Sequence, residues 1–400
     1  MILVAIAGMT SGCPGSVPCS DPVDGTDAAP DASAPESGTF DVPIGPVTTI
    51  PLTGCGGPGY AASVAVGSQT FQLTIDTGSA TLAVASSACQ GCGVSPVYAP
   101  GSSAIDDDTA ASDSYLQGSW QGEVYTDSVE LAGTGPVTMK LAAIQSQNDF
   151  FTSSGCALGT VPFAPQGIIG FGPRDLAVAG TDAFISKLNQ AGAARNVFAF
   201  EFCALGGQLM IGDVDPAAAA LSGPAVYTPM TSSRYFGVTL NDLQLSGASL
   251  GFGPTDFGTT VVDTGTSVLA LPSAVFMALT SQVEKIPAFR TAFGDETTWM
   301  APTTCLSSAS STADLDAQLP HLTLVFPAPG GGTSEVTLKA TQSYLPVTMS
   351  NGTAYYCSGV IANPNPASGT IIGTSVMRGQ LAIFDLDTNE IGFAPQTFCR

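Results

Sequence analysis

From Tyr60 onward the chain alternates apolar and polar positions. Val64 and Val66 precede Gly67-Ser68, and Phe71, Leu73 and Ile75 follow it. This period of two predicts a β-hairpin turning at the Gly-Ser pair. Its second arm runs without a break into Thr74-Ile75-Asp76-Thr77-Gly78-Ser79. A second apolar approach to an aspartate occurs at Val261-Val262-Asp263-Thr264-Gly265-Thr266. Far downstream of each stands the same tripeptide, Ile168-Ile169-Gly170 in one half and Ile371-Ile372-Gly373 in the other. Two copies of one plan predict two β-lobes, 45–215 and 216–400, related by a pseudo-dyad and divided near Asp215-Pro216. Leu271-Pro272-Ser273 opens the pattern Val275, Phe276, Leu279, which predicts a short helix. Abundant Gly, Pro, Ser and Thr, with few long helical patterns, indicate a mostly β protein.

The first 44 residues differ in kind. Met1 to Met9 is an apolar run too short to span a bilayer. Followed by Thr10-Ser11-Gly12-Cys13, it resembles the end of a bacterial lipoprotein signal. Residues 1–12 are therefore expected to be the remnant of an export signal, with Cys13 as a candidate for lipidation and membrane attachment. Residues 13–44 are rich in Pro, Ala, Ser, Gly and Asp and lack apolar periodicity. They cannot offset their ordering entropy and are expected to form a disordered acidic tether. No Lys or Arg precedes Lys140, so this tether cannot hold an acidic cleft shut by ion pairing. Activity without removal of an inhibitory segment is the expectation.

Composition narrows the function classes. Among 400 residues, 32 are acidic and 10 basic, for a formal net charge of -22. Such a surface repels phosphate, which excludes nucleic acid as a partner and argues against adsorption to anionic lipid. Ten cysteines accompany a single histidine, so disulfides in an oxidising compartment are expected, rather than a zinc site. No metal or cofactor is called for, and a secreted or cell-envelope location follows.

The chemistry lies in the two Asp-Thr-Gly loops. An isolated carboxylate at the end of a buried strand is costly. Two brought together across a dyad cannot both ionise cheaply, so they share one proton. The proton-poor carboxylate can draw a proton from water while its partner donates to a scissile carbonyl oxygen, which is general acid–base catalysis with no covalent intermediate. The glycine after each Asp-Thr is expected to permit the sharp loop that turns the carboxylate inward.

From about Gly45 to Pro395 the chain resembles the pepsin-like aspartic peptidases. Tyr60 to Gly78 is similar to the family's first strand pair and catalytic loop. Tyr235-Phe236-Gly237-Val238 and TTVVDTGTS at 259–267 are similar to the opening of its second lobe, and 371–395 to its C-terminal signature. The resemblance implies a bilobal fold with an interlobe cleft, a protein or peptide substrate, and a monomer. It makes Asp76 and Asp263 the dyad. Thr77 and Thr264 would bond across the lobes beneath it, and Ser79 and Thr266 would hydrogen-bond the carboxylates from outside. In YLQGSWQGEVYTDSV it puts Tyr115 at the flap tyrosine's place, with Gly118 in the turn. Leu116 stands where the family has a glycine. Ala83 stands where it has the tryptophan that holds the flap tyrosine, a role Trp120 could take from within the flap. Val261 and Ile371 would line the cleft and favour hydrophobic residues on either side of the cut bond. A catalytically silent binding or inhibitor protein on the same fold is the competing reading, although both Asp-Thr-Gly loops are intact here.

Cys89-x-x-Cys92 could be a redox or metal pair. It lacks both an activating helix start and a second ligand pair, and its distance after Asp76 matches a small disulfide loop of the family. Cys305 and Cys357 fit the family's second-lobe disulfide. Cys55 would lie near the chain leading to Ile168, which makes Cys156 its expected partner, and Cys203 and Cys399 then remain for one another. Cys13 and Cys19 either pair, or Cys13 is lipidated. His321 lacks a Gly-x-Ser-x-Gly elbow and is read as a surface residue. Asn351-Gly352-Thr353 is a glycosylation sequon in a eukaryotic host.

Overall fold

Strand β1 (Thr48–Cys55) pairs antiparallel with β2 (Gly59–Val66), which turns into β3 (Gln69–Asp76). This computed structural model describes residues 47–397 apart from 58, 117, 152–153, 157–160, 193–194, 295–304, 351–352 and 366–367. The expected export signal, Cys13, Cys19, the tether, Cys399 and Asn351-Gly352 of the sequon lie outside the described residues. The β2–β3 turn is Gly67-Ser68, with Val66 opposite Gln69 and Gly67 at φ +58°, a left-handed conformation that favours glycine. All five apolar residues of the predicted alternation are buried.

The chain continues through β4 (Leu82–Gln90), β5 (Ile105–Tyr115), β6 (Gly118–Leu131) and β7 (Val137–Asn148). These strands close one end of a 13-stranded sheet. Its other end draws on both halves of the chain: Val197–Phe202 pairs with Gln380–Asp385, which pairs with Glu390–Pro395. Val197–Phe202 shows no alternation because every residue in it is buried. Phe198 stacks on Phe384 at 4.9 Å, and Phe236 meets Phe384 edge-on at 4.8 Å, so one aromatic cluster ties the two halves together.

The later half adds a five-stranded sheet containing Thr260–Val262, Thr370–Ile372 and Leu269–Leu271, and a four-stranded sheet around Leu322–Pro327. The helix predicted after Leu271-Pro272 runs over Ser273–Val283 and buries Val275, Leu279 and Val283. The fold is mostly β and two-lobed, and the duplicated units face each other.

Candidate active site

Each aspartate is delivered by the same local construction. In the first half Gly167–Gly170 lies parallel to β3 with Gly170 opposite Asp76, and antiparallel to β4 with Ile168 opposite Ala83. In the second half Thr370–Ile372 lies parallel to Thr260–Val262 and antiparallel to Leu269–Leu271. The downstream strand therefore sits between the strand that brings the aspartate and the strand that leaves it. The chain must pass close to the Ile-Ile-Gly glycine. A Cβ on Gly170 would strike the Ala80 backbone, and one on Gly373 would strike the carbonyls of Thr266 and Val268. That steric demand accounts for the repeated tripeptide.

The two loops grip each other through their threonines. Thr77 N–H donates to Thr264 Oγ1 at 3.0 Å, and Thr264 N–H donates to Thr77 Oγ1 at 2.9 Å. Each hydroxyl then donates across the interface, Thr77 to the Val262 carbonyl at 3.2 Å and Thr264 to the Ile75 carbonyl at 3.3 Å. All four bonds are buried, where hydrogen bonds are electrostatically strong and unmade ones costly.

Above this grip sit the carboxylates, Asp76 at 1% exposure and Asp263 at 3%. Gly78 N–H donates to Asp76 Oδ1 at 2.8 Å and Ser79 Oγ donates to Oδ2 at 2.6 Å. Gly265 N–H and Thr266 Oγ1 repeat this on Asp263 at 2.9 and 2.6 Å. The inner oxygens face each other, and the two side chains share a hydrogen bond. Burial pushes both carboxyl groups up, and the charge of Asp263 raises Asp76 further. The proton and the negative charge belong to the pair rather than to either residue.

The expectation for the loop glycines needs correcting. Neither Gly78 nor Gly265 adopts a positive φ, so a sharp loop is not what requires them. Space is the reason: a Cβ on Gly78 would lie 2.8 Å from Asp263 Oδ1, and one on Gly265 would strike Asp76 Oδ1. Each glycine leaves room for the opposite carboxylate.

β5 and β6 form a hairpin with Tyr115 opposite Gly118, the latter at φ +151°. A side chain at Gly118 would press on Asp149 and Phe150 at 2.7 Å. Tyr115 is buried, close enough to the dyad that the charge of Asp76 helps burial and Asp113 to raise its hydroxyl pKa. Trp120 shares one apolar cluster with Ala83 and Tyr115 and donates from Nε1 to Tyr115 Oη at 3.5 Å. Trp120→Phe, which removes the indole N–H and leaves a cavity at a buried position, is expected to lower kcat/KM about tenfold and to lower Tm as well. Steady-state kinetics on a quenched peptide beside thermal unfolding would check it, and unaltered kinetics would refute an anchoring role for the indole.

Two features here escaped the sequence. Phe150 packs on Tyr115 with ring centroids 5.5 Å apart, and Gln147 Oε1 accepts from the N–H groups of Phe150 and Phe151 at 2.8 and 3.2 Å. The adjacent Phe-Phe was a visible signal, but no spacing linked it to the hairpin. Asp113 is the second, sharing the inward face of β5 with Tyr115.

Val261 and Ile371 are neighbours in register, Val261 half-buried and Ile371 packed with Val268, Ala270 and Ile361. Disulfides join Cys55 to Cys156, Cys89 to Cys92 and Cys305 to Cys357. Cys203 is disulfide-bonded as well, while its expected partner Cys399 lies outside the described residues. His321 is exposed. Among the described residues no group of His, Cys, Asp and Glu could hold a metal ion.

Paired buried aspartates gripped between two β-lobes define a class of acid–base hydrolases that act through an activated water. Residues 59–396 match the eukaryotic aspartyl protease family, and the chain belongs to it as an aspartic endopeptidase. Similar proteins include a beta-secretase of Strongylocentrotus purpuratus, 27% identical over 86% of this chain and 68% of its own length. An aspartic protease of Phaffia rhodozyma is 25% identical over 84% of this chain and 76% of its own. Secreted aspartic protease 1 of Candida albicans is 26% identical over 84% and 80%.

Proposed function

We propose that Asp76 and Asp263 are the catalytic pair of this endopeptidase and that the β5–β6 hairpin is its flap, closing over a peptide. The observation that carries the reading is the double symmetry of donors, with each carboxylate holding one loop N–H and one hydroxyl and its inner oxygen turned to the other. The ionised carboxylate of the pair takes a proton from a water lying between the two. Its protonated partner gives a proton to the carbonyl oxygen, and the tetrahedral species then collapses as the amine leaves protonated. Thr77 and Thr264 keep the loops rigid, so their substitution costs rigidity before chemistry. Phe150 and Phe151, with Val261 and Ile371, favour apolar side chains beside the cut bond.

The same reading takes the chain as a monomer of two lobes meeting near Asp215-Pro216, exported in the manner its Candida relative's name indicates. Cys13 remains the candidate lipid anchor of a bacterial-type, cell-envelope protein, with residues 13–44 as its tether. Digestion of denatured haemoglobin or casein at acid pH, with and without pepstatin, tests the activity. Pepstatin-sensitive cleavage is expected, and an inert protein that binds pepstatin would favour a silent binding role.

A further inference from the structure

Asp113 lies two residues before Tyr115 on β5, on the same face of the strand, with Trp120 opposite it in the hairpin register. Alternation along β5 leaves Ala111, Asp113 and Tyr115 as its inward positions, and of these only Asp113 is charged. The Asp113 carboxylate accepts from the N–H of Ser114 at 2.8 Å and lies near the Tyr115 hydroxyl. It is close enough to Asp76 to feel that charge. The groups acting on it are thus Tyr115 and Ser114 from its own strand and Asp76 from below, while β6 presents the uncharged Trp120. No Lys or Arg is among them. Lys140, on neighbouring β7, is engaged by Asp107 at 2.8 Å towards the other end of β5. A half-buried carboxylate beside a catalytic pair, lacking a cation, costs desolvation energy that a cationic ligand would return.

Resting on the dyad reading, we infer that Asp113 is a specificity-determining residue of the flap, selecting peptides with a Lys or Arg side chain under β5 close to the cleaved bond. The remaining wall, Phe150 and Phe151, takes apolar side chains, so the preferred substrate combines one cationic position with hydrophobic flanks. The acidic surface, with 32 acidic against 10 basic residues, acts in the same direction at long range as pH rises above the sequence pI of about 4.1. Burial raises the Asp113 pKa, so the carboxylate is neutral at the acid extreme and charges as pH rises. Discrimination for a cation should widen along that path.

The test uses the full chain and peptide sets differing at one position as Lys against norleucine, which share a four-carbon side chain and differ by the terminal ammonium. The wild type is expected to favour Lys by about tenfold or more in kcat/KM at one position, a difference of about 1.4 kcal/mol. In Asp113→Asn the ratio should fall close to unity, in Asp113→Glu it should persist, and in the wild type it should grow as pH rises and the carboxyl ionises. Pepstatin binding by each variant establishes that its cleft is folded. Cleavage with no Lys preference at any position would overturn the inference and leave the dyad intact. A Lys preference surviving Asp113→Asn would assign selection to the acidic surface as a whole and overturn it too. Absence of all cleavage would instead refute the dyad reading, and the inference with it.

Discussion

Replacing Asp76 or Asp263 by Asn is expected to lower kcat/KM by about 10³-fold or more, the range of a lost general acid or base. Asn matches Asp in size, and its Oδ1 can still accept the loop N–H of Gly78 or Gly265. The threonine grip beneath is untouched, so the fold should survive. What is lost is the ability to hold and release a proton at the site between the carboxylates. A second consequence distinguishes a buried acidic pair from a merely structural one. Asp76 and Asp263 each raise the cost of ionising the other, so removing one carboxyl relieves charge repulsion at neutral pH. Asp76→Asn should therefore unfold at a higher temperature than wild type near pH 7.5 while being nearly inactive near pH 4. Peptide turnover and thermal unfolding at both pH values check this. A well-folded mutant retaining more than about a tenth of wild-type kcat/KM would exclude its aspartate from the chemistry.

Activity is expected to peak below about pH 5 and to fall about tenfold per pH unit once the pair loses its shared proton. The sign follows from the raised carboxyls. A group whose pKa is higher folded than unfolded contributes stability that is complete below its unfolded value and is lost as pH rises through its folded one. Asp76 and Asp263 belong to this class through burial, as do Asp113 and Glu390. Asp107 has the opposite sign because Lys140 bonds it, but that pair is largely solvated and weighs little. Ion pairs among the described residues gather on only Lys140, Lys187 and Arg195, so acid breaks few and relieves repulsion among the many unpaired carboxylates. Tm should be higher at pH 4 than at pH 8. A pH–rate profile peaking at 7 or above, or a Tm that rises with pH, would contradict the shared-proton account.

The sequence by itself determined the strands that end in aspartate and their duplication, and its resemblance to the pepsin-like family implied the threonines that cross and the hydroxyls that flank. All of these are written as local strings, because a β-strand shows its burial at every second residue and a loop shows its chemistry in consecutive letters. Cys89–Cys92 and Cys305–Cys357 were implied by the resemblance to the pepsin-like family, and Cys55–Cys156 by the expected approach of Cys55 to the chain leading to Ile168. Other features were decided only by the tertiary structure. The glycines of the Asp-Thr-Gly loops read as turn formers, yet they exist to clear the opposite carboxylate, a neighbour 185 or more positions away along the chain, about the separation of the cross-loop threonine bonds. Val197–Phe202 carried no alternation because strands from the other half cover it. Asp113 and Phe150 gain their meaning from a hairpin that folds Tyr115 against both. A carboxylate's role depends on which charges and which dry surfaces surround it, and in this chain those come from segments far apart in sequence.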